Sequence, residues 1–156
     1  MKVVMVCSGN ICRSPMAAEY LRARTAQAGL GHVVVESAGT LGIHGMPAPP
    51  EAVEACSEIG IDLRGHRSRG LSRHHLRTAD LLVGMAHEHV EHCRRLYPGM
   101  HASAVLLRSF EHSPEPAPEA PDLDDPIGLP LSAFRESLSL IRTCVDHLVI
   151  RLRHAP

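Results

Sequence analysis

A short segment near the start of the chain combines a nucleophile with groups that bind anions. Cys7 and Arg13 are separated by five residues in the stretch CSGNICRS, which lies between an apolar run and a stretch with helical spacing. A helix N-terminus and an arginine fork both bind tetrahedral oxyanions such as phosphate, and both favour the thiolate form of a nearby cysteine. The segment therefore predicts nucleophilic phosphoryl transfer through a phosphocysteine on Cys7.

The remaining residues of this segment are expected to form a cradle for the phosphate. Gly9 lets the backbone fold back so that successive amide groups converge, and Ser14 can donate a hydrogen bond to the Cys7 sulfur. The predicted phosphate-binding residues are Ser8, Gly9, Asn10, Ile11, Cys12, Arg13 and Ser14. A turn that carries only a buried cysteine and a surface arginine is the alternative, but it does not explain why all these residues occur together.

Strands and helices alternate along the chain. The β-branched run at Lys2–Cys7 predicts a buried strand, and Ser14 followed by Pro15 predicts a helix with serine as its N-cap. Further strands are predicted at 32–37, 80–85 and 103–107, and further helices at 50–60, after Ser72, at 88–96 and at 131–152. Residues 113–130 are predicted to form a long loop. The pattern indicates one α/β domain over residues 1–156, a three-layer sandwich in which helices flank a four-stranded parallel sheet, as in flavodoxin-like or Rossmann-like folds.

Composition limits the classes of partner and compartment. The 156 residues carry a formal net charge of −1 and only 3% aromatic residues, with no tryptophan, so a nucleic-acid partner is not expected. No run approaches the roughly 18 apolar residues of a membrane span. Five cysteines at irregular spacing indicate reduced thiols rather than a disulfide framework. We expect a cytoplasmic protein that acts without a cofactor.

A carboxylate-rich stretch and a histidine-rich stretch could also carry chemistry. Phosphomonoester cleavage needs a general acid, and PDLDDPIG supplies carboxylates in the long loop, although such a stretch can equally be a solvated turn. AHEHVEHC invites comparison with zinc motifs, but Glu91 stands where a second histidine ligand would be needed. His87 and His89 are therefore expected on a solvated helix face, and no metal site is predicted. Cys56, Cys93 and Cys144 are expected to be packing residues.

The stretch VCSGNICRSPMAAEYL resembles the phosphate loop of the low-molecular-weight protein tyrosine phosphatases. Further similar segments follow in the same order: SAGT at Ser37–Thr40, GHRSR at Gly65–Arg69, ADLLVGM at Ala79–Met85 and DDPIG at Asp124–Gly128. The resemblance spans nearly the whole chain. It implies a cofactor-independent phosphatase in which Cys7 attacks, Arg13 holds the phosphoryl oxygens and Asp125, before proline, is general acid and then base.

The resemblance also implies supporting residues around the loop. Asn10, Ser14, Ser37 and His66 would form a hydrogen-bond network that holds its backbone. Two roles are possible for Cys12. It could form a reversible disulfide with Cys7 that protects the thiolate, or it could be a small buried packing residue.

The substrate is less clearly indicated than the reaction. Tyrosine-directed members of the family usually carry aromatic pocket walls, whereas this chain has Leu41, Ile43 and Ile127 in those places. The DP-x-G form at Asp125–Gly128, the gapless loop SAGTLGIHGMPAPPEAVEA and the stretch MAHEH resemble the protein arginine phosphatase branch. That branch, however, usually has threonine where Ile11 stands. Ile11 favours phosphotyrosine in proteins or peptides as the substrate, with phosphoarginine as the alternative. The expected partners are that phosphorylated substrate and a cognate protein kinase.

Two other functions use the same residues. An arsenate reductase on this fold would need a cysteine relay, usually a closely spaced pair, and no cysteine follows Cys93 until Cys144. A non-catalytic phosphate-binding module would not need both the nucleophile and an acid.

Overall fold

A computed structural model describes residues 1–155 of the chain. The strands and helices are β1 (Lys2–Cys7), α1 (Arg13–Gln27), β2 (Val34–Gly39), α2 (Pro50–Ser57), α3 (Arg73–Thr78), β3 (Leu81–Gly84), α4 (His87–Leu96), β4 (Ser103–Leu106) and α5 (Leu131–Arg153). The strands form one parallel sheet in the order β2-β1-β3-β4. The predicted fold class and number of strands are confirmed.

The central strand β1 separates two apolar cores because its side chains alternate between the faces of the sheet. Val3, Met5 and Cys7 face the larger core with α1, α2 and α5. Val4 and Val6 face the smaller core, which includes Leu76 of α3 and Cys93 of α4. Helices therefore cover both faces, and the alternation places the Cys7 side chain on the face where α1 begins.

Two predicted boundaries are wrong. Helix α1 begins at Arg13 with Cys12 as its N-cap, so Ser14 lies inside the first turn and does not cap the helix. The second strand is Val34–Gly39 rather than 32–37, since its pairing with β1 aligns Val34 with Lys2 and Gly39 with Cys7. The Ser72 cap of α3 is confirmed, as is the long loop between the 3-10 turn at Leu107–Phe110 and α5.

No helix within residues 1–155 is long and apolar enough to cross a membrane. The predicted packing role of Cys56, Cys93 and Cys144 is consistent with their burial, since each is at most 1% exposed.

Candidate active site

The phosphate loop connects the carboxyl end of β1 to the start of α1. Cys7 is the last residue of β1 and is 2% exposed. Its Sγ lies 2.9 Å from the Ser14 hydroxyl oxygen, and the Asn10 backbone N–H donates to it over 3.3 Å. Both groups can donate to a thiolate, and the first turn of α1 adds the positive end of its dipole. The strand and the helix thus hold the sulfur among donors at the mouth of the loop.

Asn10 is the centre of the hydrogen-bond network beneath the loop. Its side-chain amide donates to the hydroxyls of Ser14 at 2.8 Å and Ser37 at 2.9 Å, and its side-chain oxygen accepts the Arg69 N–H at 2.9 Å. The His66 Nε2 lies 2.6 Å from the Asn10 carbonyl oxygen, which can only accept. Burial lowers the pKa of His66, so a neutral imidazole with its proton on Nε2 makes this bond. The structure brings together all four residues predicted to support the loop.

The backbone of the loop is strained at one residue and crowded by a neighbouring strand. Within residues 1–155, Asn10 is the one non-glycine residue with a positive φ, at 57°, a conformation that asparagine tolerates better than most residues. Gly39 at the end of β2 lies so close that a Cβ there would be 2.6 Å from the Ser8 carbonyl oxygen and 2.9 Å from the Asn10 nitrogen. Glycine in the SAGT segment therefore allows β2 to pack directly beneath the loop.

Arg13 joins the phosphate loop to the loop that carries the predicted acid. Its side chain is nearly buried, and Nη1 donates to the Leu123 carbonyl over 2.9 Å. Its Nη2 lies 3.3 Å from Asp125 Oδ2 and 3.4 Å from the Ser8 hydroxyl. The Asp125 carboxylate is 41% exposed and also accepts the Ile127 N–H at 3.2 Å. The predicted cation and the predicted acid therefore form an ion pair.

The loop that carries Asp125 is fixed to the end of β3 and the start of α4. Asp122 Oδ1 accepts from the His87 backbone N–H at 2.8 Å and lies 2.6 Å from its ring Nδ1. The backbone bond from His87 lowers the pKa of Asp122. One residue later, the Leu123 N–H donates to the Met85 carbonyl over 2.8 Å while its side chain is buried. These anchors place Asp125 above the phosphate loop although 112 residues separate it from Arg13.

Most of the residues predicted to act in catalysis, phosphate binding or substrate contact line a common cavity of about 150 Å³. Asn10 and Ser14, which were also predicted to bind phosphate, are fully buried and do not line it. Its lining residues are Cys7, Ser8, Gly9, Ile11, Cys12, Arg13, Leu41, Ile43, Asp125 and Ile127. Leu41, Ile43 and Ile127 are 66%, 36% and 47% exposed and form an aliphatic rim. The nearly buried Cys7 and Arg13 therefore lie at the inner end of the cavity, and these exposed aliphatic side chains lie at its opening.

Cys12 is a buried free thiol in this cavity wall. Burial raises the pKa of Cys12 to about 12, with Asp125 and Cys7 adding to the effect, so it is protonated at neutral pH. Its redox role remains a prediction.

The prediction of a solvated histidine face was wrong for His89. This residue is fully buried, and its Nε2 lies 2.9 Å from the Ser8 hydroxyl in the phosphate loop. His87 is exposed as expected. The sequence signal was the position of His89 three residues after Ala86, where its ring can accept the Ala86 N–H and turn inward.

No group of three or more histidine, cysteine or acidic side chains in the part of the chain that the structure describes could hold a metal ion.

The chain is similar to known proteins over its whole length. It is 36% identical over 151 residues to a probable low molecular weight protein-tyrosine-phosphatase, EpsP, from Ralstonia solanacearum, covering 97% of this chain and 95% of the relative. It is 39% identical over 160 residues to a low molecular weight protein-tyrosine-phosphatase of Streptomyces coelicolor, covering 97% and 93%.

A solved structure and a family model agree with these relatives. A mutant of the YwlE arginine phosphatase with a phosphorylated active-site serine superposes with a TM-score of 0.90 at 27% identity, covering 99% of this chain and 97% of that one. The family model described as low molecular weight phosphotyrosine protein phosphatase matches residues 2–155. The chain therefore belongs to the low molecular weight phosphotyrosine protein phosphatase family, whose members are hydrolases.

Proposed function

We propose that the protein hydrolyses phosphotyrosine in proteins or peptides through a phosphocysteine on Cys7. The observation that carries the proposal is the shared cavity, in which the thiol of Cys7, the guanidinium of Arg13 and the carboxyl of Asp125 all face one space. A nucleophile, an anion clamp and an acid are the groups that this reaction needs.

In the first step the Cys7 thiolate attacks phosphorus in line with the bond to the leaving oxygen. The new S–P bond forms as the P–O bond breaks. The loop amides and Arg13 hold the three other phosphoryl oxygens, where charge is spread in the transition state. Asp125 acts as the general acid and gives a proton to the leaving phenolic oxygen.

In the second step the Asp125 carboxylate removes a proton from water. The water oxygen attacks phosphorus, the S–P bond breaks, and inorganic phosphate and the Cys7 thiolate are released. The Ser14 hydroxyl, 2.9 Å from the sulfur, donates to the returning thiolate and so makes it a better leaving group.

The aliphatic walls supply the binding energy for the substrate side chain. Ile11, Leu41, Ile43 and Ile127 can bury both faces of a phenyl ring, and burying apolar area contributes about 25 cal/mol per Å². A ring held between them extends from the phosphate at the floor to the exposed rim.

Phosphoarginine is the second candidate substrate. The walls lack aromatic rings, and the YwlE arginine phosphatase is a structural relative over the full chain. Initial rates on two peptides of the same sequence, one with phosphotyrosine and one with phosphoarginine, separate the candidates. We expect a higher kcat/KM for phosphotyrosine, and a marked preference for phosphoarginine would overturn the assignment.

A cognate protein kinase that phosphorylates the same substrate is the expected functional partner, and the cytoplasm is the expected compartment. The free thiols of all five cysteines fit a reducing compartment. Deleting the gene should raise phosphotyrosine on proteins of the cytoplasmic fraction. Unchanged phosphorylation in that fraction would contradict this part of the proposal.

A further inference from the structure

His89 is a buried titratable residue that the proposed mechanism does not use. It lies in the first turn of α4 with 0% of its surface exposed. Its Nδ1 accepts the Ala86 backbone N–H over 2.9 Å, and its Nε2 lies 2.9 Å from the Ser8 hydroxyl oxygen. One ring thus connects the start of α4 to the residue that follows the nucleophile in the chain.

The bond to Ala86 determines which ring nitrogen carries the proton. A neutral imidazole has one donor and one acceptor nitrogen. Because Nδ1 accepts from a backbone N–H, Nε2 carries the proton and donates to Ser8. Burial, reinforced by the nearby Arg13 cation, lowers the pKa of His89 to about 4, so the ring is neutral near pH 7.

The Ser8 hydroxyl oxygen accepts from two sides. His89 donates from α4, and Arg13 Nη2 approaches from the phosphate loop at 3.4 Å. With both lone pairs engaged, the hydroxyl can still donate its own proton. Ser8 lines the cavity beside Cys7, so a phosphoryl oxygen bound there is an acceptor within its reach.

We propose that His89 is a positioning residue for the reaction: through the Ser8 hydroxyl it fixes Arg13 and directs the Ser8 proton toward the bound phosphoryl group. This inference rests on the proposed phosphatase function and adds a residue outside the phosphate loop to it. His89 does not touch the reacting atoms. It acts on the clamp that holds them.

A purely structural role at the start of α4 is the competing explanation, and α3 offers a matched control. His75 occupies the same position in α3, and its Nδ1 accepts the N–H of the N-cap residue Ser72 at 3.1 Å. His75 does not contact the phosphate loop in the described residues. His75→Leu therefore removes the same type of helix-start bond without touching the site.

The test is a double-mutant cycle with rescue. Two quantities are measured for each protein: the rate of p-nitrophenyl phosphate hydrolysis and the inhibition constant of inorganic phosphate. The proteins compared are wild type, His89→Leu, His89→Gln, Ser8→Ala, the double variant His89→Leu/Ser8→Ala, and His75→Leu. A lost hydrogen bond of ordinary strength predicts that His89→Leu weakens phosphate inhibition and lowers kcat/KM about three- to ten-fold. His89→Gln, whose amide can donate to Ser8, should recover most of the loss.

The cycle distinguishes action through Ser8 from action through the fold. Ser8→Ala should weaken phosphate binding as much as His89→Leu does. The double variant should bind phosphate no more weakly than Ser8→Ala alone. The inference is overturned if the His89→Leu loss persists in full when Ser8 is absent, or if His75→Leu weakens phosphate inhibition equally. Ser8→Ala leaves the start of α4 intact, so unchanged phosphate affinity in that variant overturns it even if His89→Leu does not fold.

The same experiment separates this inference from the proposed function. If the wild-type protein hydrolyses no phosphomonoester, the proposed function fails. Calorimetric titration of the same variants with inorganic phosphate then still tests whether His89 and Ser8 act together on the anion site.

Discussion

Replacing Asn10 by alanine should both destabilise the fold and disable the phosphate loop. The side chain is fully buried and makes three hydrogen bonds, to Ser14, Ser37 and the Arg69 backbone. At about 1 kcal/mol for each bond, their loss costs about 3 kcal/mol. Alanine at a φ of 57° adds roughly 1 kcal/mol of backbone strain. The expected loss of unfolding free energy is therefore about 4 kcal/mol.

Thermal unfolding and aryl phosphate hydrolysis measure the two consequences. For a chain of this length, roughly 2–4 °C of melting temperature is lost per kcal/mol, so Asn10→Ala should melt about 8–16 °C below wild type. Well below that temperature, kcat/KM should fall at least about ten-fold, because a small misplacement of the loop amides weakens transition-state binding.

Asn10→Gly is the matched control. Glycine accepts the positive φ without strain but makes none of the three bonds, so its melting temperature should lie between those of Asn10→Ala and wild type. If Asn10→Ala melts within a few degrees of wild type and keeps full activity, the network does not hold the loop and the reasoning is wrong.

Three further perturbations have defined outcomes. Gly39→Ala should abolish most activity, because the new Cβ would lie 2.6 Å from the Ser8 carbonyl oxygen and 2.9 Å from the Asn10 nitrogen. Gly31→Ala is the control: its Cβ would have no neighbouring atom within 4 Å, so activity should not change. Asp125→Asn should lower kcat most for aryl phosphates with basic leaving groups, as expected when the acid is removed. The pKa of His89 is about 4 in the folded protein and 6.5 in the unfolded chain. Between these two pH values the unfolded chain therefore binds a proton that the folded protein does not. Stability measured by urea unfolding should therefore fall as the pH drops through this window, less steeply in His89→Gln.

Each of these predictions has an outcome that contradicts it. An active Gly39→Ala enzyme would show that the loop can move away from β2 at little cost. If Asp125→Asn lowers kcat equally for substrates with acidic and with basic leaving groups, Asp125 is not the general acid. A pH slope that is the same in wild type and His89→Gln would show that His89 does not titrate as its burial indicates.

The phosphate loop could be predicted from the sequence because its parts are adjacent in the chain. Cys7, the loop amides and Arg13 lie within one strand-to-helix connection, so their spacing alone places them around a common centre. The acid could be assigned to Asp125 only through family resemblance, since its position depends on anchors at Asp122 and Leu123 that are distant from the loop in the chain.

The errors have physical causes that local patterns do not contain. Ser14 before proline is typical of an N-cap, but its hydroxyl instead contacts the Cys7 sulfur and the Asn10 amide. The helix begins two residues earlier than predicted, at Arg13. His89 stands in a polar stretch, yet it faces inward beside Val90 and Cys93, which are also buried. Helical spacing shows which residues share a face, but not which face the sheet covers.

The most direct test of the central claim is to trap the phosphoenzyme. The enzyme is mixed with an aryl phosphate, quenched in acid during turnover and digested, and the peptide that carries the added phosphoryl group is identified by mass spectrometry. The mechanism predicts a phosphoryl group on Cys7, more of it in Asp125→Asn because the base for the second step is missing, and loss of turnover in Cys7→Ser. A phosphoryl group on another residue, or a Cys7→Ser enzyme that turns over like wild type, would contradict nucleophilic catalysis by Cys7.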